Sequence, residues 1–236
     1  MNEKTKLKKD LDISIEDYKS CSGRFIIGER NGKGKEYNFD TSKLVFEGNY
    51  LNGKKNGKGK EYYDNGKLLF EGEYLEGKKN GNGKEFYPND TLLFQGEYLN
   101  GEKNGIGKEY YSNGNLKFEG EYLNGKKWNI KGYNYDNNLE FELKEGKGVV
   151  KEYDNKYGKL LFEGEYLNGE RNGNGKESYD NNKLKFEGEY LNGKKWNGSG
   201  YNYDGNLEFE LKNGNGKIKE YDYEGKLIFE GELLNG

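Results

Sequence analysis

The chain repeats itself with a period close to 24 residues. Phe46-Glu47-Gly48 returns as Phe70-Glu71-Gly72, Phe94-Gln95-Gly96, Phe118-Glu119-Gly120, Phe162-Glu163-Gly164, Phe186-Glu187-Gly188 and Phe229-Glu230-Gly231. A fixed period of this size specifies an array, because each unit is too small to bury its own apolar face and must stack on its neighbours. Units begin at 21, 46, 70, 94, 118, 141, 162, 186, 209 and 229. Two of them, near Phe141 and Phe209, are short and carry Leu143 and Leu211 where glycine stands elsewhere. Each follows a tryptophan, Trp128 or Trp196, and the two lie 68 positions apart, as a duplicated three-unit block requires.

Residues 1–20 precede the array and are highly charged, with Leu7, Leu11, Ile15 and Tyr18 at helix-like spacing. They form a short N-terminal cap or tail, and residues 21–236 form the array. Cys21 takes the place that Phe holds in later units, which suits a small buried hydrophobe better than a reactive thiol.

A chain with 31 % hydrophobic and 34 % charged residues ordinarily stays disordered. Here 22 Tyr and 12 Phe recur at fixed places, and the net charge is only -3. A thin folded structure without a thick core reconciles these facts. The single cysteine permits no internal disulfide and suits a reducing compartment. No apolar leader follows Met1, and no stretch reaches the roughly 18 apolar residues of a membrane helix. The expectation is a cytoplasmic protein, at most peripheral to a membrane.

Asn-Gly flanked by aromatic and branched residues is a strong hairpin signal. With a two-residue type I′ turn at Asn65-Gly66, counting outward sets Tyr63 against Leu68, Tyr62 against Leu69 and Glu61 against Phe70. Lys60 then faces Glu71, Gly59 faces Gly72, Lys58 faces Glu73 and Gly57 faces Tyr74. One face carries aromatic rings beside bare glycine backbone, an arrangement that rescues strand glycines. The other carries cross-strand Lys–Glu pairs. Glu61 falls on the aromatic face, where the pattern gives it no reason to be. Segments such as Leu75–Gly81 read as loops between hairpins. The fold class is therefore all-β: an elongated, single-layer, twisted antiparallel meander of about nine repeated β-hairpins. At about 4.8 Å per strand it would run to about 85 Å.

Chemistry finds little support. There is no histidine, and carboxylates such as Glu71 and Glu73 recur with the repeat and face lysines, as a salt-bridge row would. No enzyme activity, cofactor or metal is expected. Asp136-Asn137-Asn138 and Asp180-Asn181-Asn182 sit where hairpin turns belong and read as turn chemistry. Gly57-Lys58-Gly59-Lys60 lacks the following Ser or Thr and the helix of a phosphate loop.

The basic residues Lys54, Lys55, Lys78, Lys79, Lys103, Lys126, Lys127, Arg171, Lys194 and Lys195 should line one long edge, a candidate contact for acidic phospholipid or a partner. The alternative is a solvated edge that resists aggregation. The slightly negative net charge argues against nucleic acid. Trp128 and Trp196 either anchor a partner or fill the gap left by the short units.

The recurring positions Phe70, Gly72, Tyr74, Gly77, Gly81 and Gly83 resemble the MORN repeat family, whose pattern is an aromatic, x, Gly, x, aromatic, then Gly and Gly-x-Gly. Phe94, Gly96 and Tyr98 repeat it, as do Phe118, Gly120 and Tyr122. Phe162, Gly164 and Tyr166 follow, then Phe186, Gly188 and Tyr190. The length and the trailing Tyr-Tyr-x-Asn-Gly are most similar to the MORN variant repeat, over about residues 21–236. The resemblance implies an extended sheet of hairpins. It also implies roles found in that family: scaffolds, membrane tethers beside acidic lipid, and antitoxin-like binders. The expected function is a non-enzymatic scaffold for protein–protein interaction or self-assembly, with an unpaired edge at Phe229–Leu234. The alternatives are a peripheral membrane tether and an antitoxin-like binding protein.

Overall fold

The computed structural model of the chain describes residues 24–28 and 30–235. The expected cap or tail at 1–20, and Cys21, lie outside the described residues. The chain divides into two compact units, one ending at Glu102 and one beginning at Lys103. Among the described residues there are nineteen strands and no helix.

The first unit contains β1 (Arg24–Gly28), β2 (Gly32–Asn38), β3 (Leu44–Leu51), β4 (Lys54–Tyr62), β5 (Leu68–Leu75), β6 (Lys78–Phe86) and β7 (Leu92–Leu99). Each pairs antiparallel with its neighbours in sequence, so this part is an open meander. The second unit opens with β8 (Glu102–Tyr110), β9 (Leu116–Leu123), β10 (Lys126–Tyr133) and β11 (Leu139–Leu143). It continues with β12 (Gly148–Tyr153), β13 (Leu160–Leu167), β14 (Glu170–Ser178), β15 (Leu184–Leu191), β16 (Lys194–Tyr201) and β17 (Leu207–Leu211). It closes with β18 (Gly216–Tyr221) and β19 (Leu227–Leu233).

The register runs as expected over the body of the hairpin: Glu61 faces Phe70, Lys60 faces Glu71, Gly59 faces Gly72, Lys58 faces Glu73 and Gly57 faces Tyr74. It departs near the turn. Tyr62 faces Leu68, and Leu69 is the extra residue of a bulge. The Gly66 amide donates to the Tyr63 carbonyl and the Tyr63 amide to the Lys67 carbonyl, at 2.9 Å each. Gly66 has φ +82 while Asn65 is not left-handed. This is a three-residue turn, a type I bend closed by a left-handed glycine, not a two-residue turn.

The two-residue turn lies at the other end of the strand. Asn52-Gly53 has φ 53 and 77, and Glu76-Gly77 has 51 and 87. The type I′ geometry needs positive φ at both places, and its twist matches that of the strands. The expected loop at Leu75–Gly81 is therefore only Glu76-Gly77, and β6 begins at Lys78. The lysine pairs belong to strands.

The second unit corrects the expectation of one uninterrupted sheet. The ladder breaks between β11 and β12 and again between β17 and β18, at the two short units. Only single bridges, Lys144 with Lys147 and Lys212 with Asn215, join the strands there. The five-residue strands are too short for a full ladder, and the buried Leu143 and Leu211 fill space that glycine leaves open in a regular copy. Asn137 and Asn182, with φ 67 and 64, close three-residue turns as Gly66 does, so both Asp-Asn-Asn strings are turns.

Candidate functional site

The repeat builds a row of sealed rings. Alternation along a strand sends Phe70 and Tyr74 to one face, and both are buried, at 0 % and 4 % exposure. Phe46, Phe94 and Phe186 are likewise sealed. Glycine provides the floor. A Cβ on Gly59 would lie 2.5 Å from the Phe46 ring, and one on Gly83 would lie 2.6 Å from Phe70. Rings of successive copies meet edge to face: Phe46 lies 5.3 Å from Tyr74, Phe70 lies 5.5 Å from Tyr98 and Phe162 lies 5.4 Å from Tyr190. Each such contact contributes about 0.5–1.5 kcal/mol beyond area burial.

A cation provides the lid. Lys55 Nζ stands 4.1 Å over the Phe46 ring, Lys79 4.1 Å over Phe70, Lys127 4.5 Å over Phe118 and Lys195 5.2 Å over Phe186. The Arg171 guanidinium carbon is 3.9 Å over Phe162. The carboxylate that lacked a reason on the aromatic face completes the arrangement. Glu61 lies 3.2 Å from Lys55, Glu85 2.8 Å from Lys79 and Glu109 3.1 Å from Lys103. Glu177 sits between Arg171, at 2.6 Å, and Lys195, at 3.1 Å. Tyrosine hydroxyls enter the same row: Tyr166 donates to Glu152, and Tyr50 donates to Glu36 at 3.5 Å.

The electrostatics follow from this packing. Burial pushes the Glu177 carboxyl up, but Lys195 and Arg171 outweigh it and hold the group below the usual carboxylate range. Glu109 is balanced the same way: burial opposes Lys103, Lys127 and Lys117, and the net shift is downward. Burial, then Glu61, pushes the Tyr74 hydroxyl well above its ordinary value. The aromatic face is thus closed. Its rings are covered by paired cations and carboxylates, and no open apolar channel runs along it.

The ten basic residues expected at one edge divide into two sets. Lys55, Lys79, Lys103, Lys127, Arg171 and Lys195 are the half-buried lids just described. Lys54, Lys78, Lys126 and Lys194 are exposed at strand starts. Two of these reach carboxylates, Lys54 to Glu76 at 2.6 Å and Lys126 to Glu170 at 2.9 Å. Beside them the structure places side chains that the sequence pattern did not single out. Leu51, Leu75 and Leu99 in the first unit are 45 %, 52 % and 47 % exposed, and Leu123, Leu167 and Leu191 in the second are 41 %, 42 % and 40 %. All six end a Gly-x-Tyr-Leu string. Alternation from the buried tyrosine puts them on the face away from the rings. Leu51 pairs across the turn with Lys54, Leu75 with Lys78, Leu123 with Lys126 and Leu191 with Lys194. The signal was present in the sequence as a leucine at one recurring place, after the Gly-x-Tyr of each regular copy.

Trp128 and Trp196 are half-buried and occupy bulges. In a regular copy Tyr50 faces Lys55 and Gly48 faces Gly59, so three residues oppose Asn49. In the tryptophan copy Tyr122 faces Lys127 and Glu121 faces Asn129, which leaves Trp128 alone in the bulge. One tryptophan thus stands in for the two-residue excess.

Two further lysines, the buried Lys117 and the half-buried Lys185, bind backbone. Lys117 donates to the Tyr153 carbonyl at 3.1 Å and to Asn155 Oδ1 at 2.6 Å, and Lys185 donates to the Tyr221 carbonyl at 2.5 Å. Burial pulls both ammonium groups below their ordinary value. Their signal was Leu-Lys-Phe where the other full-length copies read Leu-Leu-Phe or Leu-Val-Phe, in the hairpin that carries each tryptophan.

The MORN repeat family matches residues 21–40, 46–67, 70–91, 94–116 and 162–183. These five segments are MORN repeats, and the chain is a repeat protein built on them. A mutant form of S. aureus TarM, in complex with fondaparinux, α-GlcNAc-glycerol and UDP, is similar at 15 % identity and a TM-score of 0.32, over 48 % of this chain and 22 % of that one. A second crystal structure of TarM gives 15 % identity and a TM-score of 0.30, over 52 % and 26 %. A protein of unknown function from Bacteroides caccae gives 12 % and 0.27, over 89 % and 93 %. The aligned part therefore spans about a quarter of TarM, and likenesses this weak do not extend to function. Comparison with curated proteins gives no match.

Proposed function

We propose that the chain is a non-enzymatic scaffold that binds a protein partner across several repeats at once, in the cytoplasm. The observation that carries this reading is the row of exposed leucines at one repeat position. Scattered surface leucines are ordinary, but a comb with one tooth per regular repeat, set on every second strand about 10 Å apart, offers an extended partner the same contact several times. Leu51, Leu75 and Leu99 form it on β3, β5 and β7; in the second unit Leu167 and Leu191 stand on β13 and β15, and Leu123 on β9 is separated from them by the break in the ladder. The aromatic face supports no such role, because its rings are already sealed. The recurring carboxylates are engaged with lysines, which supports a structural part for them in place of catalysis. Among the described residues no cluster of acidic or thiol side chains is arranged to hold a metal.

The test is capture of proteins from native lysate by the wild-type chain and by a variant carrying Leu51→Asp, Leu75→Asp and Leu99→Asp. The expected result is specific capture that the variant loses while keeping its melting temperature. Equal capture by both would remove the reading. A second reading, contact with an acidic membrane surface, draws on the cross-turn pairing of Leu51, Leu75, Leu123 and Leu191 with lysines. It is weaker because most of the basic residues are engaged with carboxylates inside the sheet. Salt-sensitive pelleting with anionic vesicles, lost in the same variant, would favour it.

A further inference from the structure

The face away from the sealed rings carries an aromatic row of its own. Tyr37, Tyr62 and Phe86 hold one register place in successive hairpins of the first unit, opposite Leu44, Leu68 and Leu92. Each follows a glutamate of the ring face, Glu36, Glu61 or Glu85, so alternation turns it to the other side. All three are half-buried. In the second unit Tyr110 and Tyr133 take the same place, opposite Leu116 and Leu139.

The tyrosines lean along the sheet. The Tyr62 hydroxyl donates to Glu47 at 2.7 Å, and Glu47 faces Lys60, two positions back on the tyrosine's own strand. The Tyr133 hydroxyl reaches Glu119 at 2.7 Å, and Glu119 faces Lys131 in the same way. Each ring is also set among polar groups of both signs. Lys60 has Glu47 on one side and Glu71 on the other, and Lys84 has Glu71 and Gln95. Lys35 and Lys60 reach carboxylates at 3.3 and 3.6 Å. Lysine and carboxylate alternate from strand to strand, so their charges nearly cancel along the row.

We propose that this face binds an extended, uncharged polysaccharide of equatorially linked pyranose rings, laid across the strands on Tyr37, Tyr62 and Phe86. Three properties select that occupant. Platforms on every second strand, about 10 Å apart, match two such sugars joined end to end, whereas the two-residue step of an extended peptide is only about 7 Å. A pyranose with equatorial substituents has C–H faces that pack on an aromatic ring and a rim of hydroxyls that donate and accept. The lysine and carboxylates beside each platform meet both needs. An uncharged chain is also the electrostatic complement of a balanced row, which offers a polyanion such as a nucleic acid no attracting field.

The platforms stand at the three-residue-turn ends of their strands and the exposed leucines at the tight-turn ends, so sugar binding and partner capture are separate readings. The probe is cellohexaose, titrated calorimetrically into the 236-residue chain. The expected result is saturable binding that strengthens from cellobiose through cellotetraose to cellohexaose and changes little with ionic strength. In the wild-type chain, ring-proton NMR signals of Tyr37, Tyr62 and Phe86 should shift on titration, and those of the sealed Phe70 and Tyr74 should not. Tyr62→Ala and Phe86→Ala should each weaken binding about fivefold, whereas Tyr62→Phe, which keeps the platform, should leave it unchanged. Chitohexaose binding at these rings in place of cellohexaose would support the proposal, since its linkage and spacing are the same. No saturation by either hexasaccharide at millimolar concentration overturns it, as does equal binding of the curled maltohexaose, or shifts confined to other residues. The leucine variant above should bind the sugar as the wild type does. If sugar binding fails while partner capture holds, the scaffold reading stands without it.

Discussion

The regular hairpin β3–β4 and the tryptophan hairpin β9–β10 begin from nearly the same string and end differently. In the first, Asn56-Gly57-Lys58 fill the wide bulge opposite Asn49, Val45 precedes the phenylalanine, and the meander continues. In the second, Trp128 alone fills the bulge, Lys117 precedes Phe118, and the ladder breaks two strands later. Lys117 then spans to the carbonyl of Tyr153 and the side chain of Asn155, while the Ser112 amide donates to the Asn155 carbonyl at 3.1 Å. The duplicated block repeats the device 68 residues on, with Lys185 on Tyr221 and the Asp180 amide on the Tyr223 carbonyl at 3.2 Å. A repeat sheet can thus be interrupted without losing its packing, provided that a polar side chain reaches the freed backbone. An unsatisfied buried carbonyl would otherwise cost about 1–3 kcal/mol.

The largest expected effect lies in the regular region. Phe70→Ala removes a ring that packs on Tyr74, Tyr98 and two glycines, and should cost about 3–5 kcal/mol, read by denaturant unfolding and by hydrogen exchange in the first unit. A loss under about 1 kcal/mol would mean that the ring row is not the core. Next comes the interrupted region. Lys117→Leu, which restores the side chain of regular copies, should cost about 1–3 kcal/mol and speed exchange at 153–155. An unchanged or raised stability would show that the break holds without the lysine.

Acid sharpens the contrast by a further step. Glu109, Glu152 and Glu177 are all held below the ordinary carboxylate range in the second unit, in each case by cations that outweigh burial. A carboxyl lowered in the folded state contributes stability that is full above its unfolded value and fades as pH falls through the folded one. Melting temperature should therefore be flat near pH 7 and fall below about pH 4.5. Replacing Glu177 by Gln should lower stability at neutral pH and flatten the acid limb. At high pH the sign reverses. Tyr62 is pushed up to about 12, by burial first and Glu47 second, so its contribution is full below pH 10 and is lost progressively as pH rises from there through about 12. The smallest effect belongs to the exposed set. Lys54→Ala should change stability by at most about 0.5 kcal/mol, because its pair with Glu76 stands in solvent.

Much of the fold was legible in the sequence. The 24-residue period, the glycine-on-ring face and the register from Gly57 to Glu61 follow from strand alternation alone. The turns did not, for a definite reason. The copy that begins at Phe46 holds three Asn-Gly pairs, Asn52-Gly53, Asn56-Gly57 and Asn65-Gly66, and the dipeptide signal does not rank them. The structure makes the first a two-residue turn, the second a bulge and the third a three-residue turn. Misplacing the tight turn turned Lys54 and Lys55 into loop residues, which hid the lid over Phe46 and left Glu61 unexplained. Cation, ring and carboxylate come from strands that are adjacent only once that turn is placed. The exposed leucines and Lys117 were visible as recurring or aberrant letters, but periodicity alone cannot say which face an end-of-strand residue takes.

The most direct test of the ring-on-glycine account sets two glycines of one unit against each other. Gly59→Ala would place a methyl group 2.5 Å from the Phe46 ring, whereas Gly77, with φ +87 and nothing within 4 Å, accepts asparagine in open space. Unfolding free energies should fall by about 1–3 kcal/mol for Gly59→Ala and by only a few tenths for Gly77→Asn, which keeps a residue that tolerates left-handed φ. Equal losses at the two positions, or a harmless Gly59→Ala, would contradict the claim that the array holds together by rings packed on bare backbone.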